Sequence, residues 1–196
     1  MASDSQYIAG IDEAGRGPLA GPEVCAAVIL KKGQKLPNLK DSKQLSHAQR
    51  EKLFELITKN CISYGIGILD HEYIDKHNIL KAVQKANEIA AKKLSPQPKL
   101  ILIDGRDKQI LKTPFKTIIK GDTFVRPIMA ASILAKVTRD KEIEKIQKKY
   151  GNCGPGYPSN EITQNFLKEN WQKYPEIFRH SWSSYKRVKE AKKQSS

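Results

Sequence analysis

At 196 residues the chain has the length of one domain, and 39% hydrophobic against 29% charged residues allow a normal core and exclude a disordered polymer. Thirty-five Lys and Arg against 21 Asp and Glu leave a formal net charge of +14, which favours an anionic partner over a merely lysine-rich surface only once a site for one is found. No apolar run approaches the roughly 20 residues of a membrane span, and Met1 to Gln6 lack the basic and apolar segments of a secretory signal, so a cytoplasmic location without membrane contact is expected. Cys25, Cys61 and Cys153 are far apart and odd in number, and read as free thiols instead of a disulfide frame or zinc cage.

Residues 7–12 and 24–30 are short apolar runs joined by a Gly/Pro-rich turn, and read as neighbouring strands. Ser46, with Gln49 three residues on, predicts a capped helix through about Lys59. Residues 62–69 read as a third strand, in which Gly65 and Gly67 permit close approach of another element. One helix is predicted over residues 73–94, with Ile74, Ile79, Val83, Ala86 and Ile89 as its apolar side. The run Leu100-Ile101-Leu102-Ile103 ahead of Asp104-Gly105 predicts a strand buried on both faces. A fifth strand over residues 115–119 ends at Gly121-Asp122, and a long helix over 125–149 follows. A Gly/Pro loop at 151–158, a helix over 161–171 and a basic, helical and then fraying tail from Lys186 complete the chain. The expected architecture is one α/β domain spanning 1–196, with residues from about 159 onward as a small basic helical appendage.

Three strands share one format, an apolar run ending in acid beside glycine: Ile11-Asp12-Glu13, Ile103-Asp104-Gly105 and Lys120-Gly121-Asp122. Taken singly, the last two are ordinary Asp/Gly turns. Together they place four carboxylates at strand ends, where ligands of α/β sheets gather. Converging acids raise each other's pKa unless cations neutralise them. Oxygen-only ligands select Mg²⁺ or Mn²⁺, and a pair of such ions supports in-line phosphodiester cleavage. Gly15-Arg16-Gly17 imitates a dinucleotide fingerprint, but it runs through Pro18 and Gly21-Pro22 into another strand, so no helix N-terminus receives a pyrophosphate. His71, His77 and His180 lack zinc spacing and read as surface residues.

The stretch Gly10-Ile11-Asp12-Glu13-Ala14-Gly15-Arg16-Gly17-Pro18-Leu19-Ala20-Gly21-Pro22 resembles the opening signature of the ribonuclease HII family. Asp41-Ser42-Lys43-Gln44-Leu45-Ser46, Leu102-Ile103-Asp104-Gly105, Lys120-Gly121-Asp122, the run from Ala130 to Asp140 and Gly156-Tyr157-Pro158 continue it in order, from residue 8 to about 187. The resemblance implies an RNase H-like fold, a mixed central sheet flanked by helices. It implies hydrolysis of the RNA strand of RNA–DNA hybrids, and incision 5′ of single ribonucleotides embedded in duplex DNA. By it Asp12, Glu13, Asp104 and Asp122 are the metal-site carboxylates, and Gly15, Arg16 and Gly17 read the ribose 2′-OH. Tyr157 packs on the following nucleotide, and Lys43 and the segment from Ser132 to Lys136 match positions near the substrate backbone, with Ser132 and Ala135 themselves read as helix packing. Many bacterial members carry His-Lys-Gly-Tyr where this chain has Gly154-Pro155-Gly156-Tyr157, which puts a phosphate contact of the missing basic pair in doubt.

Two rivals differ in testable ways. Ribonuclease HIII members typically carry an extra N-terminal domain and glutamate as the fourth acid, whereas here the first strand opens at Tyr7 and the fourth acid is Asp122. A non-catalytic nucleic-acid-binding module has no use for four clustered acids, which weaken phosphate binding without metal. The sequence therefore predicts a metal-dependent endonuclease working as a monomer on ribonucleotide-containing duplexes.

Overall fold

The computed structural model describes residues 7–194, with the side chains of 192–194 excepted; the signal-free reading of Met1 to Gln6 and the tail charges Lys192 and Lys193 lie outside the described side chains. Five strands form one mixed sheet in the order β3-β2-β1-β4-β5. They are β1 (Ile8–Ala14), β2 (Glu23–Ile29), β3 (Ser63–Leu69), β4 (Leu100–Asp104) and β5 (Phe115–Ile118). β1, β2 and β3 pair antiparallel, whereas β4 lies parallel to β1 and β5 parallel to β4. The helices are α1 (His47–Asn60), α2 (His71–His77), α3 (Ile79–Lys92), α4 (Arg126–Tyr150), α5 (Glu161–Asn170) and α6 (Ser183–Gln194).

Local chemistry explains most boundaries. Ser46 and Gln49 close the predicted capping box on α1. Pro127 in the first turn and Gly151 at the C-cap, with φ +98°, delimit α4. The single helix predicted over residues 73–94 is two. Asn78 sits at φ +70°, its N–H closing α2 on the Ile74 carbonyl while its side chain caps α3 at Lys81 N. Asn78 takes a positive φ with an extended ψ of 165° and supplies the cap oxygen, so an apolar run that reads as one helix turns a corner in space.

The two faces of the sheet carry different layers. Ala26 and Val28 of β2 pack with Ile133, Leu134 and Val137 of α4 and with Leu53 and Ile57 of α1. Ala27 and Ile29 face the other way with Ala9, Ile11, Ile101 and Ile103, against Ala90 and Ala91 of α3. β2 is consequently the strand buried on both faces. β4, expected to be, alternates buried Ile101 and Ile103 with half-exposed Leu100 and Leu102, because α4 crosses over β1 and β2 and barely reaches β4.

Glycines set how closely the layers approach. A Cβ on Gly10 would meet the Pro127 carbonyl carbon at 2.1 Å, so α4 crosses directly on β1. Gly65 and Gly67 likewise face the Ala90 and Ala86 carbonyls of α3, the close approach that the sequence signals.

The C-terminal part builds a satellite core from Phe166, Leu167, Ile177, Phe178 and Tyr185, closed by Leu19 and Ala20 of the β1–β2 connection. α6 begins at Ser183, earlier than the tail at Lys186 that charge alone suggests, because Tyr185 belongs to this core. Cys25, Cys61 and Cys153 are free, and no helix among the described residues is long and apolar enough to cross a membrane.

Candidate active site

β1 and β4 pair Ile11 with Ile103, so Asp12 and Asp104 follow side by side at the ends of neighbouring parallel strands. The two-residue period of a strand puts Asp12 on the α4 face with Gly10, and Glu13, paired with Cys25, on the other. Asp122 arrives on a 3₁₀ turn at Gly121–Thr123, and its N–H donates to Asp104 Oδ1 at 3.3 Å. Gly121 has no room for a side chain, since a Cβ would meet Ile128 Cδ1 at 2.5 Å.

The four acids line one cleft of about 380 Å³ together with Gly15, Arg16, Gly17, Lys43 and Tyr157. All nine residues singled out in the sequence thus converge. A larger groove of about 530 Å³ between α5 and α6 is lined mainly by apolar side chains and holds no acid, so carboxylate chemistry belongs to the smaller cleft.

Burial first, then the charges of Glu13 and Asp104, push the Asp12 carboxyl well above the usual range, against a hydrogen bond from Ser132. Burial also raises Glu13, opposed by Arg16, and burial with the charge of Asp122 raises Asp104. Two side-chain cations answer part of this charge. Lys43 Nζ lies 3.2 Å from Asp122 Oδ2, and Arg16 Nη1 lies 3.4 Å from Glu13 Oε1 while gripping Asp107 Oδ2 at 2.7 Å. The bond to Asp122 raises Lys43 despite the opposing effect of burial.

As the side chains stand, no three His, Cys, Asp or Glu among the described residues are placed to cage a metal ion. The donor chemistry nonetheless fits a hard divalent cation. Every candidate ligand is a carboxylate, three are strained by mutual repulsion and burial, and two are held by cations that an ion would replace.

Several cleft residues escaped the sequence reading. Ser132 is not only a packing residue, for its hydroxyl lies 2.9 Å from Ser42 Oγ and donates to Asp12. Arg50 and Lys136 line the cleft and share Asp140, at 3.8 and 2.7 Å. Ser42 and Lys136 sit inside motifs already quoted, and Lys136 belongs to the segment that the resemblance places near the substrate backbone; Arg50 and Asp107 carry no local signal, since they reach the site only through the packing of α1 and the loop after β4.

Gly17 and Tyr157 adjoin, a Cβ at residue 17 lying 3.8 Å from the tyrosine ring. The loop that bears Tyr157 is built on glycine: Gly154 has φ +62°, and a Cβ there would meet Thr163 Oγ1 at 2.7 Å. A side chain at residue 154 would crowd Thr163 and Asn160, so glycine fits this turn where many family members carry the histidine of His-Lys-Gly-Tyr.

A mixed sheet of this strand order, flanked by helices and ending centrally in acids, is the RNase H-like architecture. The ribonuclease HII family model matches residues 9–185, and the chain belongs to that family. A ribonuclease HII of Ruminiclostridium cellulolyticum is 49% identical over 148 residues, covering 76% of this chain and 58% of the relative. For the first curated relatives the matched stretch takes in between 53% and 65% of their length. The crystal structure of the ribonuclease H2 from Pyrococcus horikoshii superposes with TM-score 0.87 at 33% identity, covering 96% of this chain and 99% of that one. A structure of Bst-RNase HIII in complex with Mn²⁺ reaches TM-score 0.77 at 19% identity over 97% of this chain and 71% of that one, a likeness of fold alone.

Proposed function

We propose that this protein is a metal-dependent endoribonuclease that hydrolyses the RNA strand of RNA–DNA hybrids and incises 5′ of single ribonucleotides in duplex DNA. The products carry 3′-hydroxyl and 5′-phosphate ends. The observation that carries this reading is the convergence in one cleft of Asp12, Glu13, Asp104 and Asp122 with the Gly15-Arg16-Gly17 loop and Tyr157.

Magnesium or manganese ions, when bound, supply positive charge to the scissile phosphodiester and an activated water. The four carboxylates hold them. Ser132 donates to Asp12, and the Asp122 N–H donates to Asp104, so both acids are oriented before substrate arrives. Lys43, Arg50 and Lys136 line the cleft as cations for the flanking phosphates, positioning a duplex without reading its bases. The Gly15-Arg16-Gly17 backbone faces the ribose, whose 2′-OH separates RNA from DNA. Tyr157, against Gly17, packs on the next nucleotide.

On this reading residues 1–196 form one catalytic domain, with about 159–196 as a basic appendage. It acts as a monomer in the cytoplasm, where its three free thiols stay reduced.

The test is cleavage of an end-labelled duplex containing one ribonucleotide, with Mg²⁺ or Mn²⁺ supplied separately and products mapped against chemical ladders. A single cut 5′ of the ribonucleotide is expected, and an all-DNA duplex stays intact. Comparable cleavage of all-DNA duplex contradicts recognition of the 2′-OH.

A further inference from the structure

The Gly15–Gly21 connection is held from behind by a segment more than 150 residues away in sequence. Arg179, fully buried, donates from Nη1 to the Arg16 carbonyl at 3.3 Å, and from Nε and Nη2 to the Gly21 carbonyl at 3.2 and 3.0 Å. Trp182 Nε1 donates to the Gly17 carbonyl at 3.3 Å, and the Arg179 guanidinium lies 4.9 Å from the Trp182 ring. The backbones join as well, Arg179 N donating to Leu19 O at 2.8 Å and Gly21 N to Ile177 O at 3.1 Å.

A trans peptide points its N–H opposite to its C=O. The Arg16 carbonyl is turned back onto Arg179, so the N–H of the same peptide, that of Gly17, is turned away from Arg179. Gly17 lines the cleft, and its N–H meets no acceptor among the described residues. A carbonyl bonded to a guanidinium also polarises its peptide and strengthens that N–H as a donor. Glu23, fully buried and with neither carboxyl oxygen hydrogen-bonded, lies beside Arg179 beneath the loop.

We infer that Arg179 and Trp182 are positioning residues that aim the Gly17 peptide N–H at the ribose hydroxyl, so that the C-terminal segment is part of the machinery that tells ribonucleotide from deoxyribonucleotide. This rests on the reading of the loop given above. Without the clamp, the loop stays tied at Leu19, Ala20 and Gly21, but the Arg16 and Gly17 carbonyls, beside Gly15 at φ +122°, lose their side-chain partners. Neither residue lines the cleft, so each acts through the loop alone.

The experiment compares binding of two fluorescent duplexes, identical but for one ribonucleotide, by the full chain in EDTA buffer, where no cleavage intervenes. Trp182→Phe keeps an aromatic face for Arg179 and removes the donor. Arg179→Lys keeps the charge and removes the fork. The native protein is expected to prefer the ribonucleotide duplex, and each variant to lose about five-fold of that preference, the factor that one neutral hydrogen bond represents. Affinity for the all-DNA duplex is expected to stay within about two-fold.

Preference retained by both variants overturns the clamp and leaves the proposed activity standing. Equal loss on both duplexes overturns it too, because general damage to the fold does that. A native protein with no preference overturns 2′-OH recognition itself and the clamp with it. Should Arg179→Lys fail to fold, Trp182→Phe, at the half-exposed end of the clamp, carries the comparison alone.

Discussion

The Asp12 side chain is 5% exposed, beside Glu13 and Asp104, and its charged form is disfavoured by all three circumstances. An acid raised on folding adds stability fully below its unfolded pKa, and that stability is lost as pH climbs through the folded value. Metal-free protein at neutral pH therefore carries the cost. Asp12→Asn is expected to melt higher than the native protein in EDTA, to lose the rise in Tm that saturating Mg²⁺ gives the native chain, and to be inactive; Asp104→Asn is expected to follow it. Near-native turnover by either variant at saturating metal contradicts the carboxylate site. Glu23 offers a test away from the cleft acids. Burial and then Glu13 push it up to about 8, against the pull of Arg179, Arg16 and Arg139. Its contribution is present below the ordinary glutamate value of 4.5 and lost as pH rises to about 8. Glu23→Gln is expected to flatten that decline, measured by urea unfolding at pH 5, 7 and 9; an unchanged slope shows that Glu23 stays paired and charged throughout. Asp12 and Glu13 were legible because adjacent acids in a glycine frame lack a structural excuse. Glu23 was not, since an acid opening a strand reads as surface until the C-terminal segment covers it.

At the scale of elements, the pairing of α3 with β3 depends on two glycines. Periodicity marks both elements, but only the Gly65-x-Gly67 spacing announces that they touch backbone to backbone. A Cβ at Gly67 would lie 2.1 Å from the Ala86 carbonyl oxygen, and backbone on both sides leaves nothing flexible to yield. Gly67→Ala is expected to cost about 1–3 kcal/mol, the usual penalty of overpacking, read as a lower urea midpoint with unchanged slope. A loss below about 0.5 kcal/mol shows that α3 shifts freely. The break between α2 and α3 was hidden for the opposite reason. The run of apolar residues on both sides of Asn78 reads as one helix, although Ile74 lies five residues before Ile79 and so falls off the face of Ile79, Val83 and Ala86; the positive φ of Asn78 turns the run into two helices.

Over the whole molecule, charge and chemistry are separated. The net charge of +14 belongs largely to exposed lysines, while four acids gather in the cleft at the ends of the central strands. Lys186, Arg187 and Lys189 lie exposed on α6, whose Tyr185 and Val188 anchor it to the satellite core. Removing residues 189–196 leaves those anchors in place and takes away Lys189, Lys192 and Lys193 against Glu190, a net loss of two positive charges. Binding is expected to weaken alike for every duplex sequence, and the slope of log K against log salt to fall by up to about two. Single-turnover cleavage at saturating enzyme is expected to be unchanged. Loss of saturated turnover with an unchanged slope makes the tail a structural element instead.

The strands, the cap of α1 and the carboxylates and glycine frame of the cleft were determined by the sequence itself, because strand-end acids, Ser46 and Gln49, and the Gly15-Arg16-Gly17 frame act over a few neighbouring positions. Burial of β2 on both faces instead of β4, the turn at Asn78, the place of Ser132 beside Asp12 and the clamp of Arg179 and Trp182 were decided only by the tertiary structure. Each of these depends on what packs across from a residue. A one-dimensional pattern records which side chains seek cover, but not which distant segment provides it.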